Sequence, residues 1–213
     1  VLEPTLQAIH RHNDWSRITY IMKKLRSYGT IHLHLDLIVG LPYEDYTHLR
    51  KSFNDIYALH PHKLQIGFLK LLKGSGIRRD YPNDYRYDPC GPYEVLETTW
   101  LPYAKVRYMK VFEDVFERTY NADKFVYVLN FLAEIYQTDY FNLYERLTNE
   151  WLRLKNDEKA LSDEHLCQFL WHCIQHVLAL SPEQQQTARE LLILDMLTFF
   201  RFRYRLDFLE WEE

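Results

Sequence analysis

The stretch Ile31-His-Leu-His-Leu-Asp-Leu-Ile-Val39, followed by Gly40-Leu-Pro42, decides the fold class of this chain. One set of alternate positions is wholly apolar, whereas the other set begins with two histidines and an aspartate. Because successive side chains of a strand point to opposite faces, this pattern predicts a strand with one apolar and one polar face. A strand between two helix layers should be apolar on both faces. The pattern therefore favours a barrel whose polar face lines a ligand-holding interior; the alternative is a half-exposed open sheet.

A second strand and two helices flank this segment. Residues Leu64 to Leu71 repeat the alternation more weakly, with Gln65 and Gly67 on the polar face. One helix is predicted from the N-cap Asp14 to Tyr28, and another from about Glu44 to Leu59. Helices and strands that alternate at this spacing are typical of βα units with parallel strands.

The remainder of the chain has the pattern of an all-helical domain. Arg78 to Gly91 is crowded with Pro, Asn, Asp and Gly, which predicts a loop and a domain boundary. Beyond it, apolar residues recur at helical spacing, and Ser181-Pro-Glu-Gln184 has the composition of a helix N-terminus. The predicted fold class is α/β followed by all-α. Residues 1–80 would form two parallel strands of a partial TIM-barrel-like unit, and residues 81–213 a helical C-terminal domain.

The composition excludes several classes of protein. The chain has 213 residues, of which 47% are hydrophobic and 26% charged, so it is neither disordered nor collagen-like. A net charge of −4 does not indicate a nucleic-acid partner. No apolar run reaches the roughly 18 residues that cross a bilayer, so no membrane partner is predicted. The three scattered cysteines suit a reducing compartment, and a cytoplasmic location is expected.

The turn after the first strand carries the most specific motif of the chain. Asp36-Leu-Ile-Val-Gly-Leu-Pro-Tyr-Glu44 resembles the motif G-x-I-x-G-x-x-E of the radical S-adenosylmethionine (radical SAM) superfamily, with Asp36 in place of the first Gly and Glu44 one position later than in the motif. Residues Leu6 to Arg11 resemble the helix that precedes this strand, and residues 63–76 resemble the next strand and its loop. The helical remainder is similar to the C-terminal domain of unknown function in radical SAM proteins that also carry a cobalamin-binding domain.

The resemblance implies roles for the matching residues. Ile38 would pack against the adenine of S-adenosylmethionine, and Gly40 would keep the backbone clear of it. Glu44, in the first turn of the next helix, would position the turn rather than act as a catalytic acid. Arg11 would reach the ribose or carboxylate of the cofactor, or else remain a solvated helix residue. No catalytic residue is predicted in this chain.

The polar strand face leaves two interpretations open. Its residues are expected to face the substrate: His32, His34, Asp36 and Gln65. Two histidines and a carboxylate in a row could instead hold a metal ion. Cys167 and Cys173 lie off the usual zinc-finger spacing, and core packing is predicted for them. No metal site is predicted.

The resemblance also implies what lies outside this chain. The CxxxCxxC loop that holds a four-iron four-sulfur cluster would precede Val1, and no cysteine here replaces it. The chain is therefore expected to be part of an enzyme that cleaves S-adenosylmethionine, with the first half of the barrel and a cobalamin domain as its missing partners. Whether cobalamin is used is left open, and this chain alone should bind no cofactor tightly. The alternative is a non-catalytic helical interaction module with a short α/β leader.

Overall fold

The computed structural model describes residues 2–156, 161–200 and 207–209. Contacts between Cα atoms divide the chain into two compact units, Val1–Lys110 and Val111–Glu213. The first unit combines short helices with strands, and the described part of the second is helical. The predicted order of α/β followed by all-α is thus confirmed.

The first unit is built around a pair of parallel strands. Its elements are α1 (Glu3–Ala8), α2 (Trp15–Ser27), β1 (His34–Val39), α3 (Tyr46–Tyr57), β2 (Lys63–Phe68), α4 (Gly76–Asp80), β3 (Tyr85–Tyr87) and β4 (Val95–Thr98). β1 and β2 are parallel and in register from the pair His34 and Lys63 to the pair Val39 and Phe68. The predicted N-cap Asp14 is confirmed, because its carboxylate accepts the backbone N–H of Arg17 at the start of α2.

The apolar face of this strand pair is buried. Leu37, Val39, Leu64 and Ile66 are all excluded from solvent. A small cluster of Met22, Leu33 and Leu59 lies beside them, with further apolar residues of α2 packed against it. Because burying one such side chain contributes about 1.5–3 kcal/mol, this face holds the strands and α2 together.

The structure has a short hairpin where the sequence predicted a loop and then helices, so this part of the prediction is wrong. β3 and β4 pair antiparallel, with Tyr85 opposite Thr98 and an irregularity between Arg86 and Tyr87. Val95 is fully buried, and its N–H donates to the carbonyl of Leu69 at 2.8 Å. Strands of three and four residues are too short to show a two-residue repeat in the sequence. Their position depends instead on backbone hydrogen bonds with the chain after β2.

The second unit is a set of packed helices. Its elements are the later part of α5 (Tyr103–Thr119), α6 (Val126–Tyr136), α7 (Tyr140–Arg153), α8 (Asp163–His176), α9 (Pro182–Phe199) and a 3₁₀ turn (Asp207–Leu209). Ser181 and Gln184 form the predicted capping box of α9. Cys167 and Cys173 are fully buried, which confirms core packing for both. From Phe200 to Phe208, aromatic residues or Leu alternate with Arg or Asp, a pattern that gives no firm prediction. Residues 201–206 of this tail lie outside the described residues. No described helix is long and apolar enough to cross a membrane.

The start of α6 depends on a residue distant in sequence. Its N-cap residue Phe125 forms no side-chain cap. Instead, the fully buried carboxylate of Asp195 on α9 accepts the N–H groups of Tyr127 and Val128, each at 2.9 Å. Burial raises the pKa of Asp195 to about 6, although these N–H groups act to lower it. Asp195 therefore ties α9 to the otherwise unsatisfied amino end of α6.

Candidate functional site

Four of the predicted site residues lie together on one face of the β1–β2 pair. The register places His34 beside Lys63, Asp36 beside Gln65 and Ile38 beside Gly67 on this face. His34, Asp36, Ile38 and Gln65 are exposed, whereas the residues between them along each strand are buried or half-buried. The predicted alternation is confirmed, and the roles of these residues in binding stay predictions.

The histidines of this segment do not form the metal site considered above. His34 Nε2 is 3.5 Å from Asp36 Oδ1. His32 precedes β1, and its ring stacks on that of His62 with the centroids 5.0 Å apart. Among the residues that the structure describes, no three His, Cys, Asp or Glu residues are placed to hold a metal ion. Their predicted role as residues that face the substrate stays a prediction.

Ile38 and Gly67 form a flat apolar patch near the carboxyl ends of the two strands. Ile38 is 41% exposed. Its partner Gly67 has no side chain, and the nearest atom to a Cβ built there is the Leu37 carbonyl oxygen at 3.9 Å. An aliphatic side chain therefore lies beside bare backbone on a face that is otherwise polar.

Gly40 has a structural requirement that the sequence did not reveal. Its φ is +94°, which side-chain-bearing residues rarely adopt. A Cβ at this position would also lie 2.9 Å from Cγ1 of Val95 in β4. Gly40 is thus needed where β1 joins its turn and Val95 of β4 lies close to the backbone. This requirement holds whether or not Gly40 also contacts a ligand.

We expect Gly40→Ala to lower the free energy of unfolding of the first unit by about 2 kcal/mol, because it combines backbone strain with crowding. Urea unfolding at pH 7 of the full chain measures this loss. Removing the opposing methyl groups with Val95→Ala should relieve the crowding but not the strain. The double variant should therefore lose less than the sum of the two single variants, and strict additivity would contradict the contact.

Glu44 lies before the helix and not in its first turn, which corrects the prediction. Asp45 is the N-cap of α3, since its carboxylate accepts the N–H of His48 at 2.9 Å. Glu44 is only 5% exposed; its Oε1 accepts the Ser52 hydroxyl at 3.0 Å, and its Oε2 is buried without a hydrogen-bond partner among the described residues. Burial raises the pKa of Glu44 to about 7, against the opposing effect of Ser52. With a pKa of about 7, the carboxyl group of Glu44 is therefore partly protonated near neutral pH.

Two further residues of this region are Arg11, whose role stays a prediction, and Tyr43, which the sequence analysis did not single out. Arg11 is exposed after α1, and no described residue forms a hydrogen bond or an ion pair with its guanidinium. Tyr43 was missed: it has a φ of +66°, and its ring lies 4.9 Å from that of Trp100. The only sequence signal for Tyr43 is its place directly after the Gly-Leu-Pro turn.

Comparison with known proteins gives the family of the chain. The fold places the chain in the class of proteins in which an α/β unit with a parallel strand pair precedes a helical unit. Residues 81–213 match the family described as "Protein of unknown function (DUF4080)", and the chain belongs to that family.

A second similarity reaches a curated protein. Over 93 residues the chain is 31% identical to the "Oxygen-independent coproporphyrinogen-III oxidase-like protein HemZ" of Bacillus subtilis (strain 168). This match covers 44% of the chain and only 18% of the relative's length.

Proposed function

We propose that this chain is the C-terminal part of a radical SAM enzyme, in which residues 1–80 complete a barrel and residues 81–213 form a helical accessory domain. One observation carries the proposal: the exposed Ile38 lies beside Gly67 at the carboxyl end of a parallel strand pair, directly before the turn at Gly40. In βα barrels, ligands bind at the carboxyl ends of the strands. A flat base would cover the part of the Ile38 side chain that is exposed among the described residues.

The residues present fit the adenosine part of S-adenosylmethionine but not an iron–sulfur cluster. Cys90 is exposed, whereas Cys167 and Cys173 are buried in α8. Burial raises the pKa of the Cys167 thiol to about 12 and raises that of Cys173 as well, which opposes the thiolate form that iron requires. The four-iron cluster that would supply the reductive cleavage, and any cobalamin, therefore belong in this proposal to other parts of the intact protein.

The polar strand face would then line the interior of the completed barrel. His34, Asp36 and Gln65 would face the substrate. His32, which precedes β1, would do so as well. Arg11 would contact the cofactor only after the missing half of the barrel is added. We further propose that the protein has no nucleic-acid partner, in keeping with its net charge of −4. We also propose that it has no membrane partner and is cytoplasmic, in keeping with its lack of a long apolar run and its three scattered cysteines.

We expect Ile38→Asp, made in the full-length protein, to weaken S-adenosylmethionine binding by tenfold or more. The loss follows from removing an aliphatic contact worth about 1.5–3 kcal/mol, at about 1.4 kcal/mol per factor of ten. Anaerobic isothermal titration calorimetry measures the dissociation constant. Ile31→Asp is a matched control, because Ile31 is 40% exposed but precedes β1.

Two results would overturn the proposal. Equal affinity of the Ile38→Asp and Ile31→Asp proteins for S-adenosylmethionine would mean that this strand face does not contact the cofactor. A full-length protein that has no CxxxCxxC motif upstream of residue 1 and binds no S-adenosylmethionine would instead favour a non-catalytic helical interaction module.

A further inference from the structure

Three aromatic side chains of the first unit meet beside the turn that follows β1. Tyr43 belongs to this turn, Tyr81 directly follows α4, and Trp100 follows β4. The ring of Tyr43 lies 4.9 Å from that of Trp100 and 6.1 Å from that of Tyr81, and the last two rings are also 6.1 Å apart. Tyr43 is 41% exposed, and Tyr81 and Trp100 are half-buried. We call these three residues the aromatic cluster.

The three rings of the aromatic cluster face in different directions. The ring planes of Tyr43 and Tyr81 are inclined by 84°, those of Tyr81 and Trp100 by 77°, and those of Tyr43 and Trp100 by 54°. A cation over the face of a ring is attracted to it within about 6 Å of the centroid. Because the centroids are at most 6.1 Å apart, one ammonium group can lie within this distance of more than one ring. The arrangement therefore suits a compact cation.

In the part of the chain that the structure describes, no Lys or Arg lies over a ring of the aromatic cluster. Other tyrosines of the first unit do have such a partner. Arg78 lies 4.9 Å from the ring centroid of Tyr87, and Lys105 lies 3.8 Å from that of Tyr46. The aromatic cluster thus differs from these tyrosines in having no cation of its own chain.

A carboxylate without an ionic partner lies beside the aromatic cluster. The backbone N–H of Asp84 donates to the carbonyl of Tyr81 at 3.3 Å, and the carbonyl of Asp84 accepts the N–H of Thr99, the residue before Trp100, at 2.9 Å. Oδ1 of Asp84 accepts the Thr99 hydroxyl at 2.9 Å, and no described Lys, Arg or His forms an ion pair with this carboxylate. Asp84 is therefore held between two members of the aromatic cluster with its charge unpaired.

The charge of Asp84 acts on the aromatic cluster. The hydrogen bond with Tyr43 and then burial raise the pKa of Tyr81 to about 12, and the charges of Asp80 and Asp84 raise it further in the same direction. Asp80 is already paired, because Arg79 donates to its carboxylate at 2.7 Å. Asp84 is thus the carboxylate that remains to attract a cation from outside the chain.

We propose that the aromatic cluster binds the quaternary ammonium group of a small molecule, with the rings of Tyr43 and Trp100 against its methyl groups and Asp84 as the counter-charge. Clustered aromatic rings recognise such cations through the attraction between positive charge and ring face. A nearby carboxylate adds to this attraction because the interaction between opposite charges strengthens as water is excluded. The site lies within residues 43–100 and needs no cofactor, so it stands or falls separately from the function proposed above.

Titration calorimetry of the full chain with choline chloride, in about 0.15 M sodium chloride, tests the proposal. The comparison ligand is 3,3-dimethylbutan-1-ol, which has the shape of choline without its charge. We expect saturable binding of choline and at least tenfold weaker binding of the neutral alcohol. Sodium ions in excess compete for a purely ionic contact with Asp84, so the choline that binds must also be held by the rings.

Substitutions of the rings locate the binding. Tyr43→Leu and Trp100→Leu should each weaken choline binding fivefold or more, whereas Tyr43→Phe, which keeps the ring, should retain most of it. Tyr20→Leu is the matched control, because Tyr20 is 66% exposed and lies on α2. This control should bind choline as the wild type does.

A substitution of the carboxylate tests the counter-charge. Asp84→Asn keeps an acceptor for the Thr99 hydroxyl and removes the charge, so it should weaken choline binding threefold or more. Asp14→Asn removes a charge at the N-cap of α2, where asparagine caps as well as aspartate, and should leave choline binding unchanged.

Thermal unfolding of each variant checks that it is folded, and Trp100→Leu serves if Tyr43→Leu is not. Absence of saturable choline binding or equal affinity for the neutral alcohol would overturn the proposal. Equal affinity of the folded ring variants and the Tyr20→Leu protein for choline would overturn it as well.

Discussion

Replacing Asp195 with alanine is expected to lower the free energy of unfolding of the helical unit by about 3 kcal/mol at pH 7. The carboxylate is fully buried and accepts two backbone N–H groups at the start of α6. Alanine would leave both N–H groups buried without an acceptor and would add a small void. No side chain of α6 itself is placed to replace the lost acceptor, because Phe125 occupies its N-cap position.

Hydrogen exchange of the full chain, with mass spectrometry of peptides from α6, measures this loss where it occurs. Glu190→Ala is the matched control on α9, since Glu190 is exposed and, within the described part of the chain, accepts only from Gln186. The control should change stability by less than about 0.5 kcal/mol. A loss below about 1 kcal/mol for Asp195→Ala would mean that Asp195 does not act as the cap of α6.

Glu44→Gln is expected to remove most of a pH dependence in the stability of the first unit. The pKa of Glu44 is raised by burial to about 7 in the folded protein, from an ordinary value of 4.5. The folded state therefore binds this proton more tightly than the unfolded state. The contribution is fully present below pH 4.5 and is lost as the pH rises through 7, with a total of about 3 kcal/mol.

Comparing the variant with the wild type at two pH values separates the titration of Glu44 from that of the other groups. From pH 4.5 to pH 8, the Glu44→Gln protein should gain about 3 kcal/mol of stability relative to the wild type. Ser52 keeps its hydrogen bond in the variant, because the amide oxygen accepts as the carboxylate does. Hydrogen exchange of peptides from α3 gives the measurement, and Glu3→Gln at an exposed position should show no such change. An equal pH dependence in wild type and Glu44→Gln would show that Glu44 is solvated in the folded protein.

The sequence by itself determined that an α/β part precedes a helical part, and it determined the two faces of the first strand. The alternation from Ile31 to Val39 is a local property, because strand side chains point in opposite directions whatever surrounds them. Helix caps at Asp14 and Ser181 were predictable for the same reason, since a cap acts within three residues along the chain. The motif from Asp36 to Glu44 likewise gave the family resemblance without any knowledge of contacts.

Only the tertiary structure decided the features that depend on residues far apart in the chain. Val95 makes Gly40 necessary, Asp195 caps α6, and Oε1 of Glu150 lies 2.5 Å from Nε2 of His172. The burial that shifts the pKa of Glu44 also has no counterpart in its neighbouring residues. Sequence patterns record which local conformation a residue favours and which face it occupies. They do not record the partner across the core, because close packing and low solvent access arise only when separate segments meet.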